Sequence, residues 1–142
     1  MARFLGTGLL LIGIFCPALF GKASSSTLKQ ELAAQHFSGL IEGDVKFTPL
    51  GTIHCGTKRL HVIFYEWHES NSPGKAIHAS YRVILMDRAT YFGFYVVEDE
   101  PRIQGDELLF PYAAYGNSIS CGSKGVLPQK TLLNGEVVPL SK

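Results

Sequence analysis

The stretch "RLHVIFYEWHES", residues 59–70, places two histidines, two glutamates and the only tryptophan around an apolar run. In an extended strand, successive side chains alternate between two faces. His61 and His68 would then lie on opposite faces. The face of His61 also carries Ile63, Tyr65 and Trp67, and the other carries Leu60, Val62, Phe64, Glu66 and His68. The pattern predicts a β-strand whose last residues run into solvent.

Glu66 and His68 share one face of this strand, two residues apart. A carboxylate that orients an imidazole is the core of a general base, so the pair is a weak catalytic candidate for a small secreted hydrolase. A nucleophile is still required, and no G-x-S-x-G motif is present. The histidines at 54, 61 and 68 recur at a spacing that matches no common strand-borne metal site. We therefore expect no metal and no cofactor.

Residues 1–23 have the pattern of a secretory signal peptide. A basic start at Arg3 precedes an apolar run over residues 4–20, and the small residues Gly21 and Ala23 follow. The run is interrupted by glycine and proline and is marginal in length for a membrane anchor, so we expect cleavage after Ala23. The mature chain should be exported to the periplasm or cell exterior. The absence of an Asn-x-Ser/Thr sequon favours a bacterial source.

The mature chain would have little net charge. Removing residues 1–23 from the 142 leaves 119, enough for one domain. Removal of Arg3 and Lys22 reduces the 13 basic residues to 11, against 12 acidic ones. We expect no nucleic-acid partner, because no basic surplus exists, and no membrane association after signal cleavage.

Cleavage would also leave two cysteines, Cys55 and Cys121. In an exported chain two cysteines usually pair, which predicts a disulfide. The sequence "CGTK" at residues 55–58, before a strand, together with the late Cys121, resembles the secreted C-type lysozyme inhibitors, which are small disulfide-linked β-barrels. The inhibitory Ser-Gly and Tyr-Lys loops of that family have no counterpart at matching positions. The resemblance implies an inhibitor of a secreted hydrolase as one alternative function.

The remaining pattern predicts a mainly β fold after one N-terminal helix. Helical spacing of apolar residues places the helix within residues 24–43. Residues 44–142 contain about seven or eight short strands with turn signals between them, including Asn134-Gly135, a strong hairpin signal. This predicts a single antiparallel β domain, either a sandwich or a barrel.

One strand, "ATYFGFYVV" at residues 89–97, carries the strongest binding signal. By simple alternation Tyr91, Gly93 and Tyr95 share a face opposite Thr90, Phe92, Phe94 and Val96. This face predicts an aromatic ligand-binding surface that Tyr112 and Tyr115 extend. The alternative is that the N-terminal helix covers it, with Gly93 permitting close approach. The leading hypothesis is a non-catalytic domain that binds a protein, peptide or small ligand through this surface.

Overall fold

The computed structural model describes residues 25–35, 44–68, 79–111 and 117–142. The described elements are one helix and nine strands: α1 (Ser25–Ala34), β1 (Asp44–Cys55), β2 (Lys58–His68), β3 (Ala79–Asp87), β4 (Thr90–Val97), β5 (Arg102–Gln104), β6 (Glu107–Leu109), β7 (Ser118–Ser120), β8 (Lys130–Leu133) and β9 (Glu136–Ser141). The predicted mainly β fold with an N-terminal helix is confirmed. The strand missed in the sequence is β5, which has only three residues.

The strands form two antiparallel sheets. The large sheet has six strands in the order β1-β2-β3-β4-β9-β8, and the small sheet has three in the order β5-β6-β7. The large sheet has open edges at β1 and β8, so it does not close into a barrel. Of the two predicted architectures, the structure is therefore consistent with the small sandwich.

The two sheets enclose the larger of two hydrophobic clusters, here called the inter-sheet core. Alternate residues of β2 and β3 point into it, as the alternation predicted, and the small sheet supplies Leu108 and Ile119. The large-sheet contributors include Val62, Phe64, Val83, Leu85 and Tyr95. Burying these side chains removes apolar surface from water, which is the main force holding the two sheets together.

The opposite face of the large sheet, here called the helix face, packs against α1. Leu28 and Leu32, four residues apart on one side of the helix, are buried there. Their partners on the sheet are Phe47, Ile63, Tyr65, Ile84 and Met86. Beyond the helix, the Gln35 side chain accepts a hydrogen bond from the backbone N–H of Tyr91 and donates one to the Ala89 carbonyl. These bonds fix the end of α1 to the β3–β4 turn.

A disulfide between Cys55 and Cys121 joins the end of β1 to the segment after β7. The predicted pairing is therefore present, and it ties the edge of the large sheet to the small sheet. The bridge spans 66 residues of sequence. In the loop-entropy model it reduces the conformational entropy of the unfolded chain, which raises the free energy of unfolding by about 4 kcal/mol.

Two irregularities bend the large sheet. The register between β1 and β2 shifts between Pro49 and Gly51. Pairing between β3 and β4 shifts as well: Leu85 pairs with Gly93 and Met86 pairs with Tyr91, so Phe92 is an extra residue. Such a bulge reverses the alternation of side chains along its strand.

Three sequence predictions concern the two ends of the chain: the C-terminal hairpin, the N-terminal helix and the signal peptide. Asn134 and Gly135 both have positive φ and connect β8 to β9 as the predicted hairpin. The described helix ends at Ala34, and the rest of the predicted 24–43 helical region, residues 36–43, lies outside the described residues. The expected signal peptide lies outside them too. No described helix is long and apolar enough to cross a membrane.

β9 packs closely against β4 at Gly93. Its φ is 156°, and a Cβ there would come within 2.9 Å of both the Leu140 Cδ1 atom and the Ser141 carbonyl oxygen. β9 pairs with β4 through only two residue pairs. A side chain added at Gly93 that pushes β9 away would therefore disrupt much of this pairing.

We predict that Gly93→Ala lowers the free energy of unfolding by about 3 kcal/mol, through backbone strain and collision with β9. Gly105→Ala is the matched control, because Gly105 also has positive φ but no atom within 4 Å of the added Cβ; it should cost about 1 kcal/mol. Urea titration of both variants measures the difference. Equal losses would show that β9 is not held closely against β4.

Candidate ligand-binding face

The structure does not place Tyr91 and Tyr95 on one face. The extra residue Phe92 reverses the alternation, so Tyr95 enters the inter-sheet core while Tyr91 lies on the helix face. The predicted shared surface was wrong for this reason. A single glycine within a strand is a known signal of a bulge, and Gly93 was that signal here.

Tyr95 is a core residue. Its side chain is 0% exposed, and its hydroxyl donates a hydrogen bond to the Pro128 carbonyl. Burial raises the pKa of this hydroxyl well above its ordinary value. In this position Tyr95 cannot touch a ligand, and its role is to fill the core and hold the segment before β8.

The other members of the predicted surface are also accounted for. Tyr91 is partly buried at the edge of the cluster beneath α1, so the alternative of helix cover holds for this residue. Gly93 faces Leu140 and Ser141, and it is β9 rather than the helix that approaches it. Tyr112 and Tyr115 lie outside the described residues.

A different aromatic surface lies on the helix face, beside the part that α1 covers. We call it the aromatic face and define it as Tyr65, Trp67, Arg82, Phe94 and Val96. Trp67 and Phe94 are partly buried against the helix-face cluster, and Val96 is 43% exposed. Arg82 pairs across the strands with both Tyr65 and Val96, which places it at the centre of the surface.

The Arg82 guanidinium lies between two aromatic rings. Its Cζ atom is 5.4 Å from the ring centroids of both Tyr65 and Phe94, within the range of a cation–π interaction. The Tyr65 ring is fully buried beneath this stack, and its burial raises the pKa of the Tyr65 hydroxyl. Arg82 therefore acts as a cover for the aromatic layer as well as a charge.

The polar contacts of Arg82 are incomplete. Its Nη1 donates a 2.8 Å hydrogen bond to the Ser80 hydroxyl, while the buried Nε has no hydrogen-bond partner. Among the described residues, no carboxylate forms an ion pair with it. Burial lowers the pKa of Arg82, but a guanidinium stays protonated at neutral pH. The aromatic face thus carries a positive charge that the described residues do not neutralise.

The weak catalytic candidates Glu66 and His68 do not form a pair. The Glu66 carboxylate accepts a 2.6 Å hydrogen bond from the Lys46 ammonium, its cross-strand neighbour on β1. This contact raises the pKa of Lys46. In the described part of the chain, no hydrogen bond joins Glu66 to His68. The structure places both near the end of β2, where each is partly buried, and the predicted solvent-exposed residues Glu69 and Ser70 lie outside the described residues.

A carboxylate–imidazole contact exists elsewhere. Asp106, in the β5–β6 turn, accepts hydrogen bonds from the backbone N–H of His54 at 2.8 Å and from its Nδ1 at 2.9 Å. Sequence inspection missed it because the two residues are 52 positions apart. Both side chains are more than half exposed, and the neighbouring Cys55 is in the disulfide. The contact ties the β1 edge to the small sheet at an exposed position.

Metal binding has no candidate among the residues that the structure describes. No group of three or more His, Cys, Asp or Glu side chains converges there. The arrangement that remains is the aromatic face, which combines ring surface, an exposed valine and one unneutralised guanidinium. These are the side-chain types that dominate binding surfaces rather than catalytic sites.

The Asp106 contact predicts a specific pH dependence. Hydrogen bonds, first from the His54 backbone N–H and then from its side chain, hold the pKa of Asp106 below its usual 3.8. A lowered pKa in the folded state contributes stability that is present above pH 3.8 and lost as the pH falls through the lower folded pKa.

We predict that Asp106→Ala lowers the free energy of unfolding at neutral pH and that its deficit relative to the wild type shrinks as the pH falls below 3.8. His54→Ala is the control, since it keeps the dominant backbone hydrogen bond and should cost less. Urea titrations at several pH values measure both. A deficit that does not change with pH, or a larger loss in His54→Ala, would contradict the assignment.

Comparison with known proteins identified no relative. No protein-family model matches the chain. No curated protein and no solved structure matches it significantly either. The lysozyme-inhibitor resemblance therefore has no support from these comparisons, and function must be argued from the aromatic face.

Proposed function

We propose that the protein is an exported, non-catalytic binding domain that takes its ligand on the aromatic face. One observation carries the proposal: Trp67 and Phe94 are partly exposed and Val96 is 43% exposed around the Arg82 guanidinium, next to the helix-covered part of the same sheet face. Aromatic rings, arginine and adjoining apolar surface are enriched where proteins bind their partners.

The rigidity of this surface supports binding. Tyr65 is fully buried under Arg82, and the central strands β2 and β3 hold the layer in continuous register. A ligand would therefore meet side chains that are already ordered, which reduces the entropy lost on association. The ligand in this proposal can be a protein. If that protein is a secreted hydrolase, the domain would act as its inhibitor.

The hydrolase alternative built on Glu66 and His68 is not favoured by any observation. The Glu66 carboxylate contacts Lys46 at 2.6 Å, and no hydrogen bond between Glu66 and His68 is seen among the described residues. Export is supported by the disulfide, because such bridges persist mainly in oxidising compartments. Together with the signal-like residues 1–23, this makes a periplasmic or extracellular location, in a bacterial source, part of the proposal.

A matched pair of valine variants tests the binding face. Val96→Asp removes apolar surface and places a carboxylate beside Arg82, whereas Val126→Asp makes the same change at a 57% exposed position in the loop before β8. Both positions are exposed, so each change should alter stability by about 0.5 kcal/mol or less.

We predict that immobilised wild-type protein and Val126→Asp capture the same component from periplasmic or culture-medium extract of the source organism, and that Val96→Asp captures at least tenfold less. Urea titration confirms that all three are folded. Equal capture by the two variants would show that the aromatic face is not the binding surface.

A further inference from the structure

We propose that Arg82 is the anchor of a carboxylate-binding site, and that the ligand presents a carboxylate attached to an apolar or aromatic group. This inference rests on the proposed function, since it takes the aromatic face as the ligand surface. It adds the chemical class of the ligand and the residue that selects it.

Partial burial without an ion pair distinguishes Arg82 among the described cations. Lys46 contacts Glu66 at 2.6 Å and Lys58 lies 3.8 Å from Asp87, while arginines without an ion pair, such as Arg59, Arg88 and Arg102, are exposed to water. The Nε atom of Arg82 is buried and has no hydrogen-bond partner. Arg82 is more buried than either lysine, yet the described carboxylates leave it without an ion pair. Burial makes an uncompensated charge costly, and the two ring faces offset only part of that cost. An incoming anion would supply the missing counter-charge.

The side chain is also held in position for a planar ligand. The Tyr65 and Phe94 rings flank the guanidinium, and Ser80 accepts one Nη1 hydrogen. A guanidinium held in this way keeps its fork of N–H donors in one orientation, which matches the two oxygens of a carboxylate. A lysine at this position would offer a point charge without that fork.

The surroundings favour a carboxylate over a phosphate or a polyanion. Among the described residues, Arg82 is the one cation in cation–π contact with the rings of the aromatic face. A ligand with a single negative charge is therefore enough to neutralise this surface. Next to it lie the exposed Val96 and the partly buried Trp67 and Phe94, which would contact an apolar group adjoining the carboxylate. A small aromatic acid and the acidic residue of an apolar peptide share this chemistry.

Benzoate is the probe that tests the site, with neutral benzamide as its isosteric control and sulfate as the competing anion. The mature protein is titrated with each while the Arg82 Nε–H resonance and the fluorescence of Trp67, the only tryptophan, are followed. We expect saturable changes with benzoate and none with benzamide. A short apolar peptide containing one glutamate, tested beside its glutamine version, distinguishes a peptide source from a small acid.

Three variants complete the test. Arg82→Met should abolish the benzoate response, and Arg82→Lys should weaken it at least tenfold. Lys58→Met should leave it unchanged, because Lys58 lies over the Phe92 ring at 4.8 Å on the inter-sheet side. Arg82→Met keeps an apolar side chain over the Tyr65 ring and removes a charge without an ion pair, so losing the cation–π contacts and the Ser80 hydrogen bond should lower the midpoint of urea unfolding only slightly. A large fall in the midpoint would indicate a structural role instead.

The contrary outcomes are distinct. Unchanged benzoate binding in Arg82→Met, a stronger response to sulfate than to benzoate, or no response in the wild type would each overturn the carboxylate site. If Val96→Asp loses the captured component while Arg82→Met keeps it, the proposed function stands and this inference fails.

Discussion

Burial of both faces of the central strands is the constraint on which this structure depends. Four consecutive residues of β2, Val62 to Tyr65, and four of β3, Val83 to Met86, are buried. Because successive side chains point to opposite faces, two separate layers must cover the large sheet. The small sheet provides one layer, and the disulfide joins it to the edge of the large sheet. The helix provides the other.

The helix α1 is short compared with the width of the large sheet that it packs on, and the position of the candidate site follows from this difference. A helix of ten residues is about 15 Å long, whereas six strands spaced about 4.8 Å apart span about 24 Å. The Leu28–Leu32 contact therefore covers only part of the helix face. Over the neighbouring part the sheet presents its own aromatic rings, and Arg82 lies on them. Among the described residues, the surface proposed for ligand binding is the part of the helix face that α1 does not cover.

Much of this architecture could be predicted from local patterns. Alternation assigned the faces of β2 correctly, and Asn134-Gly135 marked its hairpin, because both depend on neighbouring residues. The face of Tyr95 could not be predicted by alternation, since one extra residue, Phe92, reverses the order. The His54–Asp106 contact depends on how the small sheet docks. The surroundings of Arg82 could not be predicted from its own strand either, because its aromatic neighbours Tyr65 and Phe94 come from β2 and β4.

Hydroxyl-radical footprinting of the folded mature protein tests most directly whether the aromatic face is open. Oxidation rates of Trp67, Phe94 and Tyr95, each normalised to the rate of the same residue in the urea-unfolded protein, compare two partly exposed positions with one fully buried control. The account predicts measurable oxidation of Trp67 and Phe94 and at least tenfold stronger protection of Tyr95. Protection of all three to the same degree would contradict it, because the helix face would then be fully covered.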